Sequence, residues 1–547
     1  MELLSNTKKD ISKSQREMVN NSFISQISRN QHNYLTGEAT ASAEYIWPNQ
    51  QSDADHIVKT FYENLECRVQ SVQKPTKIGA NGFMLAIVRG MTTHHNDSFM
   101  TKINKTFIIT GMSNLSWQSD FIKESPDCLK DNIYHHGQLN KLDLNNMIDS
   151  LIIIDEIDTG DKEGQILHMK LKQSGILDIE HMNTHNNRII VISATMIKEL
   201  YELYNWGPDI HKSFQMTIPR GYIGVSDFLS KNIIQEFYSL TNADSADKWV
   251  KEDIVDNYGN DYRVHLCRAT SNTLPYIEGA CSKYGVLCMN HTSVDRISSE
   301  ELEYIFTHNY ETHIVLCVKG FYRRANLIPN RWKLRIGCTH ERHTKIVDNN
   351  VQIQGFPGRL TGYWREIIEN GHKTGPFRTS IKAVEQYKAS ILDPFSATCS
   401  YQTSGFNKKR NKVSTKKRTL LHTNNVENLD TNEVVVEDNN EDFERGYEIF
   451  NTQIENDIYA KQHGAKNKSR EYKEINGFKI CSTSVKCVHS LDDIEKIAKS
   501  SNLGSNLDRP ISSLEIGEYA HRRYVCYRDL SNKESECYVT IWTKRIK

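Results

Sequence analysis

The strongest chemical signal in this chain is a pair of adjacent acids that follows an apolar run. Residues 151–158 read Leu-Ile-Ile-Ile-Asp-Glu-Ile-Asp, so Asp155 and Glu156 come directly after the run. A strand that is apolar on both faces is typical of the centre of a parallel sheet, and α/β folds bind ligands at the carboxyl edge of such a sheet. One carboxylate at this edge can hold Mg²⁺, usually through water, while the next orients or deprotonates an attacking water. Acids are also common in loops, so the pair alone fits a chance arrangement equally well.

Four further segments accompany the acids at suitable spacing. They are Trp47-Pro-Asn-Gln50 at the start of an amphipathic stretch, Pro75-Thr-Lys-Ile-Gly-Ala-Asn-Gly82 before the apolar residues 83–88, Ser193-Ala-Thr195 at the end of a second apolar strand, and Gln354-Gly-Phe-Pro-Gly-Arg-Leu-Thr-Gly362 in a later region. This order resembles the superfamily 2 helicases and translocases, which are ATPases with two RecA-like domains. The resemblance covers roughly residues 45–395, and within the family it is closest to divergent viral and phage-type members.

The resemblance implies roles for individual residues around a bound ATP. Asp155 would ligate Mg²⁺, Glu156 would act on the hydrolytic water, and Arg359 would reach across the cleft as an arginine finger. Ser193 and Thr195 would couple the nucleotide state to the contact between domains. The ATP-binding residues implied are Gln50, which would read the adenine, and Thr76, Lys77, Gly79, Ala80, Asn81 and Gly82 of the phosphate loop.

The resemblance also implies two groups of nucleic-acid contacts. The first group is the segment after the strand at residues 106–110 and comprises Thr110, Gly111, Ser113 and Asn114, whose N–H groups and hydroxyls would hold backbone phosphates. The second group is Arg323 and Arg324, in the place of the family motif that touches both nucleic acid and nucleotide. Trp117 could stack on a base, although a core tryptophan is the commoner outcome.

The phosphate loop departs from the usual pattern, which places a lysine on the β- and γ-phosphates. When the Pro-Thr of residues 75–76 is aligned with the family's Pro-Thr, Gly79 takes the last glycine, Ala80 the lysine and Asn81 the Ser/Thr position. The loop therefore lacks its expected cation.

Three explanations compete for the missing lysine. Lys77 or Lys74 could supply the charge from a displaced loop, or the domain could bind nucleotide weakly and hydrolyse it slowly or not at all. Alternatively, Ala80 could be an engineered replacement of lysine that leaves this form inactive. We favour the third explanation slightly. An ATPase that had lost its activity long ago would not be expected to keep both acids and Arg359.

A second departure surrounds Arg359. Gln354 lies one residue further from Arg359 than the family pattern has it, and Gly362 occupies the position of a second arginine. Arg365, on the following turn, is the candidate substitute.

The order of strand-like and helix-like runs predicts an α/β fold with two tandem RecA-like doubly wound parallel-sheet domains and a small α+β domain at the C-terminus. We expect a helical or flexible, loosely attached extension at 1–44, the ATP-binding domain at 45–215, the second RecA-like domain at 216–398, a charged disordered linker at 399–445 and an accessory domain at 446–547. In the last, residues 523–528 and 536–542 predict a hairpin.

Composition limits the class of protein further. Lys+Arg and Asp+Glu both number 68, which argues against bulk coating of DNA by positive charge and points to local contacts. No apolar run approaches the roughly 20 residues that span a bilayer, and the twelve scattered cysteines contain no CxxC pair. We expect an intracellular, cytoplasmic protein with free thiols, in host cytoplasm or a viral factory if viral.

Cys338, His340 and His343 form only half of a zinc-ligand pattern. Polar residues in a loop are the plainer interpretation of these three side chains.

Two functions from different classes remain open. The first is an ATP-dependent nucleic-acid motor, a helicase or translocase with ATP and Mg²⁺ as cofactors and DNA favoured over RNA. The second is a catalytically silent, nucleotide-gated nucleic-acid-binding or scaffold protein, with a possible protein partner for the domain at 446–547. We find no nuclease motif that would make the chain part of a restriction machine.

Overall fold

The structure is a computed structural model, and it divides into two compact units, Met1–Glu427 and Asn428–Lys547. It describes residues 2–37, 42–96, 100–113, 115–160, 165–292, 294–322, 328–344, 346–396, 400–403, 406–407, 412–413, 421, 443–463, 472–475, 477–481, 488–499 and 514–546.

The first lobe is a six-stranded parallel sheet with helices on both faces. Its helices are α1 (Glu2–Leu35), α2 (Pro48–Glu63), α3 (Ala80–Thr92), α4 (Leu115–Glu124), α5 (Ile166–Gln173), α6 (Ile179–Thr184) and α7 (Ile197–Tyr204). Its strands are β1 (Val69–Gln73), β2 (Thr106–Thr110), β3 (Ile133–Tyr134), β4 (Leu151–Asp155), β5 (Arg188–Ser193) and β6 (His211–Gln215), in the order β3-β2-β4-β5-β1-β6. Short 3₁₀ turns lie at Ile103–Lys105, Lys130–Asn132, His136–Lys141 and Leu144–Asn146.

The second lobe repeats this architecture. Its helices are α8 (Val225–Ser230), α9 (Ala243–Lys248) with a π-helical continuation at Trp249–Asp256, α10 (Leu274–Lys283), α11 (Ser299–Thr307), α12 (Asn330–Lys333), α13 (Asn349–Ile353), α14 (Phe356–Leu360), α15 (Arg365–Glu369) and α16 (Ile381–Leu392). Its strands are β7 (Ile234–Glu236), β8 (Val264–Cys267), β9 (Leu287–His291), β10 (Ile314–Val318), β11 (Ile336–His340) and β12 (Phe377–Thr379), in the order β7-β12-β11-β8-β10-β9. The predicted fold class, two tandem doubly wound parallel sheets, is confirmed.

Burial on both faces explains why these strands are apolar. Every residue of β4 and of β5 is buried, and apolar clusters cover the two faces of the first sheet. Strand β1 is also fully buried although it carries polar side chains. These are satisfied locally, since Gln70 Nε2 donates to the Ile57 carbonyl at 2.8 Å and Ser71 Oγ lies 2.7 Å from His211 Nε2.

The N-terminal segment, expected to be loosely attached, is a long helix that packs on the first lobe. Val19 and Phe23 are fully buried in the core cluster that also contains residues of α2 and α3. Gln15 Nε2 donates to the Thr92 carbonyl at 2.8 Å, and Gln26 Nε2 to that of Lys123 at 3.2 Å. The helix is therefore part of the lobe.

Only part of the predicted linker at 399–445 lies within the described residues. There, β13 (Gln402–Thr403), β14 (Phe406–Asn407) and β15 (Lys412–Val413) form a small antiparallel sheet. Tyr401 is buried in the core of the second lobe, and the buried Leu421 accepts a hydrogen bond from Trp206 Nε1 at 2.7 Å. These two residues anchor the segment to both lobes, whereas the acidic residues 427–442 lie outside the described residues.

The C-terminal unit is built on a three-stranded antiparallel sheet. Its elements are β16 (Phe443–Phe450), α17 (Gln453–Gln462), β17 (Tyr472–Ile475), β18 (Phe478–Cys481), α18 (Leu491–Lys499), β19 (Tyr519–Tyr527), a 3₁₀ turn (Lys533–Ser535) and β20 (Glu536–Arg545). Strands β19 and β20 form the predicted hairpin, with Cys526 opposite Cys537.

Within the described residues, no helix is both long and apolar enough to cross a bilayer. Cys338 and His340 lie buried on β11, and Cys338 Sγ is 3.1 Å from His265 Nδ1. In the same part of the chain, no three His, Cys, Asp or Glu side chains are grouped to hold a metal ion.

We predict that Phe23→Ala destabilises the first lobe by about 3–5 kcal/mol, because it leaves a cavity between α1 and the lobe. Ile24→Ala is the matched control, since Ile24 is 54% exposed on the same helix and should change stability little. Thermal unfolding followed by circular dichroism measures both. Equal small shifts for the two variants would contradict the packing of α1.

Candidate active site

The candidate site lies at the carboxyl edge of the first sheet, where four strands end side by side. In the parallel register Asp155 is opposite Thr110 of β2, and Gln73 of β1 is opposite Ser193 of β5. The sheet order places β5 between β1 and β4, so the loop after β1 faces the acids across the end of β5. Parallel pairing thus gathers segments that are distant in sequence.

Asp155 is held by two donors at the end of β4. Lys74 Nζ donates to its Oδ1 at 2.6 Å, and Trp117 Nε1 donates to its Oδ2 at 2.9 Å. Trp117 is buried, so its role here is to fix the carboxylate. The buried Thr110 hydroxyl donates to the Asp155 main-chain carbonyl at 2.9 Å, and this hydrogen bond supports the same turn.

Glu156 shares the same lysine. Its Oε1 lies 3.0 Å from Lys74 Nζ, and its backbone has a φ of 52°. A non-glycine residue in this left-handed region costs about 1–2 kcal/mol, so the surrounding structure must hold it there. The strained turn points two consecutive carboxylates at one ammonium.

Lys74 is the cation that this acid pair shares. Burial lowers the pKa of the Lys74 ammonium, but the charges of Asp155 and Glu156 outweigh burial and hold that pKa above its ordinary value. Lys74 follows β1 directly, and its N–H donates to the Ser193 carbonyl at 3.1 Å. The lysine is therefore fixed at its backbone as well as at its ammonium.

The loop between β1 and α3 has the form of a phosphate loop without the usual lysine. Lys77 and Gly79 have φ values of 59° and 89°, and α3 begins at Ala80, so the N–H groups of its first turn face the loop. Asn81, in the Ser/Thr position, donates from Nδ2 to Glu124 Oε2 at 2.7 Å. Its amide is thus engaged with α4.

Gln50 braces this loop. Its Nε2 donates to the Gly79 carbonyl at 2.6 Å, and its Oε1 accepts from the Trp47 N–H at 2.9 Å. A Cβ at Gly79 would lie 2.5 Å from Gln50 Nε2, and a Cβ at Gly82 would lie 2.2 Å from Gln50 Oε1. Both glycines are therefore required for this close approach.

The second lobe contacts the phosphate loop through the loop's main chain. The hydroxyls of Tyr222 and Tyr363 donate to the carbonyls of Thr76 and Ile78 at 2.6 and 2.8 Å. Thr361 Oγ1 lies 2.7 Å from the Thr76 carbonyl. The cleft between the two sheets is closed over the loop.

A second set of hydrogen bonds runs from the acids into the second lobe. Ser193 Oγ and Thr195 Oγ1 donate to the two carboxylate oxygens of Asp158 at 2.7 and 2.8 Å. Asn350 Nδ2, on α13, donates to Asp158 Oδ2 at 3.2 Å and to the Thr195 carbonyl at 3.0 Å. Of the two predicted coupling residues, Thr195 contacts the second lobe directly, whereas Ser193 is linked to it through Asp158.

Gln354 continues this path to the predicted arginine finger. Its Nε2 lies 3.2 Å from Thr195 Oγ1 and 3.4 Å from Glu156 Oε2, and its Oε1 accepts from Arg359 Nη2 at 2.7 Å. Arg359 is 2% exposed on α14. The extra residue between Gln354 and Arg359 therefore does not separate their side chains.

Arg365 does not occupy the place of the missing second arginine. It forms an ion pair with Asp227 at 2.8 Å and another with Glu369 at 3.5 Å, and it donates to the Tyr222 carbonyl at 2.8 Å. A different cation, Lys333 of α12, lies beside Gly362, since a Cβ at Gly362 would be 3.0 Å from Lys333 Nζ. No sequence motif includes this lysine.

The predicted nucleic-acid contacts are only partly described. Thr110 and Gly111 are buried, and a Cβ at Gly111 would lie 2.0 Å from the Thr159 carbonyl, so both residues serve the packing of the acidic turn. Ser113 is exposed just beyond them. Asn114, Arg323 and Arg324 lie outside the described residues.

Comparison with known proteins gives distant matches only. No family model and no curated protein matches the chain. Among solved structures, the chain is similar to the DEAD-box helicase Mss116 bound to ssRNA and UDP-BeF, with 14% identity, coverage of 67% of this chain and 80% of that chain, and a TM-score of 0.37. It is also similar to S. cerevisiae Dbp5 bound to RNA and ADP BeF3, with 10% identity, coverage of 64% and 92%, and a TM-score of 0.34. Because these TM-scores are low, the function of the chain has to be inferred from its own geometry.

We predict that Lys74→Met destabilises the first lobe by about 3–5 kcal/mol at neutral pH, because two buried carboxylates lose their cation. Since the pKa of Lys74 is raised on folding, the wild-type ion pair should persist to about pH 10 and be lost only above that.

Lys130→Met is the matched control, since its ion pair with Asp127 has the same 2.6 Å length but lies on the surface. We expect a change of at most about 1 kcal/mol for it. Urea unfolding across pH measures both variants. A Lys74→Met protein as stable as the control would contradict the assigned role.

Proposed function

We propose that the chain is an ATP-dependent nucleic-acid helicase or translocase that hydrolyses ATP in the cleft between its two parallel-sheet lobes. The observation that carries this proposal is the hydrogen-bonded path from Glu156 and Asp158 through Thr195 and Gln354 to Arg359. Such a path makes the position of the second lobe depend on the groups that would face the terminal phosphate. Coupling of this kind is what a motor needs, because phosphate release must alter the contact between lobes.

Within this proposal, Glu156 orients or deprotonates the attacking water and Arg359 stabilises charge that develops on the transferred phosphoryl group. Mg²⁺ would be held by phosphate oxygens and, through water, by Asp155. This fits the residues present, because both Asp155 oxygens already accept hydrogen bonds but retain further lone pairs. The metal would supply charge neutralisation at the phosphates.

We further propose that Lys74 and Lys77 replace the cation missing at position 80. Lys74 reaches the acids from the end of β1, and Lys77 is half-buried in the loop itself. Gln50 would approach the adenine from the loop that it braces. This view favours a natural alanine at position 80 over an engineered one.

Ser113, Asn114, Arg323 and Arg324 are the proposed nucleic-acid contacts. Ser113 is exposed after β2 and beside the acidic turn, so a backbone phosphate bound there would lie close to the nucleotide site. DNA is the proposed polymer, with RNA as the alternative.

A silent, nucleotide-gated binding protein remains the second candidate, and one observation favours it. Lys74 engages Asp155 and Glu156 together, at 2.6 and 3.0 Å, so neither acid is free of this ammonium in the closed cleft. A protein that binds ATP without hydrolysing it would tolerate this arrangement, whereas a motor must release Glu156 during its cycle.

We predict that the full chain hydrolyses ATP and that single- or double-stranded DNA or RNA stimulates the rate. Glu156→Gln should lower the stimulated rate by about 100-fold or more while leaving ATP binding intact, because it removes the base and keeps the shape. A phosphate-release assay with each polymer measures the rate. ATP binding without turnover in the wild-type chain would favour the silent alternative.

We predict that Ala80→Lys changes the ATPase rate by less than about threefold, because Lys74 and Lys77 already supply positive charge. A lost phosphate-loop lysine would instead be worth about 1.5–3 kcal/mol, or about 10- to 100-fold, when restored. The same assay, with Ala80→Met as a control for side-chain size, decides between the two. A tenfold gain with lysine alone would support the engineered explanation.

A further inference from the structure

A buried ion pair in the second lobe lies outside the segments on which the family resemblance is based. Arg268 follows β8 and Glu341 follows β11, and Arg268 Nε donates to Glu341 Oε2 at 2.8 Å. The two side chains are only 5% and 1% exposed. Because a buried ion pair seldom adds stability by itself, the other contacts of these side chains indicate what the pair does.

The rest of the guanidinium holds the turn that follows β10. Arg268 Nη1 donates to the Phe321 carbonyl at 3.0 Å, and Nη2 donates to the Tyr322 carbonyl at 3.2 Å. Tyr322 has a φ of 51°, a left-handed conformation that a non-glycine residue keeps only when its surroundings hold it. Arg323 and Arg324, two of the proposed nucleic-acid contacts, come directly after this turn.

The carboxylate of Glu341 holds the start of α14. Its Oε1 accepts a hydrogen bond from the Phe356 N–H at 2.6 Å, and Gly355, which precedes the helix, has no side chain that could accept it. A Cβ at Gly355 would lie 2.2 Å from this oxygen, so only glycine leaves room for the carboxylate. Arg268 Cζ lies 4.4 Å from the centroid of the Phe356 ring. The pair therefore holds the first turn of the helix that carries Arg359.

One planar group thus connects the turn after β10 to helix α14. The donors of a guanidinium have fixed directions, so the carboxylate and the two carbonyls cannot shift relative to one another without the loss of a hydrogen bond. Arg359 is fixed to the start of the same helix, since its Nη2 donates to Gln354 Oε1 at 2.7 Å. A displacement of the turn at 321–322 would therefore be passed on to Arg359.

We propose that Arg268 and Glu341 are positioning residues that link the turn at 321–322 to α14, so that a nucleic acid bound beyond this turn sets the position of Arg359. This inference rests on the proposed function and deepens it, because it names the pair through which the polymer would regulate hydrolysis. Neither residue is catalytic, since each acts through Arg359.

The first test follows hydrogen exchange of the full chain by mass spectrometry, with and without single-stranded oligothymidylate, and with oligouridylate in parallel. We expect the oligonucleotide to slow exchange in the peptide that contains Phe321 and also in the peptide that contains Phe356. In Arg268→Lys the first effect should remain and the second should be lost, because an ammonium keeps the charge but cannot reproduce the planar fork. This measurement requires no ATP hydrolysis.

Arg378→Lys is the matched control. Arg378 forms another largely buried ion pair of the same lobe, with Asp253 at 2.7 Å, and also donates to the Glu236 carbonyl. We expect this variant to show the wild-type pattern of exchange, because its side chain holds other parts of the lobe.

The second test measures the ATPase rate with and without oligothymidylate on one preparation, since the ratio of the two rates does not depend on the fraction of folded protein. Arg268→Lys should lower this ratio about fivefold or more with little change in the KM for ATP, whereas Arg378→Lys should keep it. A variant whose only defect is poor folding would keep the ratio.

The wild-type arm decides the question even where a variant does not fold. Slower exchange around Phe321 without any change around Phe356 would overturn the inference and leave the motor proposal standing. Binding of neither oligonucleotide, or linked protection that persists in Arg268→Lys, would overturn it as well. Linked protection in a wild-type chain that does not hydrolyse ATP would support the inference and count against the motor alone.

Discussion

Two consecutive carboxylates at the end of a fully buried strand are the constraint on which the cleft depends. Each would cost several kcal/mol if it were buried without a partner. The chain meets this cost with Lys74 on both carboxylates, with Trp117 on Asp155, and with Gln354 of the other lobe beside Glu156. The positions of β1, α4 and α13 all follow from bringing these donors to one edge.

The contacts across the cleft are of two physical kinds. Neutral hydroxyl and amide groups make short hydrogen bonds that fix geometry and depend little on salt or ligand. Cations contribute from both sides and repel one another, so their contribution changes sign when an anion enters. The hydrogen bonds favour the closed arrangement of the lobes and the repulsion between cations opposes it. The balance between the two therefore depends on whether an anion occupies the cleft, and a protein driven by a nucleotide requires such a dependence.

The sequence predicts the central strands well and the polar ones poorly. Strands β4 and β5 are evident because parallel strands buried on both faces must be apolar, but β1 is hidden, since Gln70 and Ser71 are buried with partners that lie far away in sequence. The packing of helix α1 is hidden for a similar reason. Val19 and Phe23, at i and i+4, are its only strong signal within a polar segment.

The candidate site likewise contains some residues that the sequence reveals and others that it does not. Asp155, Glu156, Ser193, Thr195 and Arg359 could be found because their spacing resembles a known pattern, and the structure brings them together. Trp117 and Asn350 match no such pattern, Asp158 lies in the 151–158 run without an implied role, and Lys333 is a single lysine on a one-turn helix. Their importance arises from tertiary contacts between residues as much as 192 positions apart, which no local pattern encodes.

Three of the hydrogen bonds from the second lobe to the phosphate loop are accepted by main-chain carbonyl groups of the loop. Tyr222, Thr361 and Tyr363 all reach main-chain oxygens of Thr76 and Ile78. Every residue type has the same main-chain carbonyl, so these three hydrogen bonds do not depend on which side chains the loop carries. Substitutions that alter the charge of the loop side chains would therefore leave these three hydrogen bonds in place, so the electrostatics of the cleft can change separately from the contacts that hold it closed.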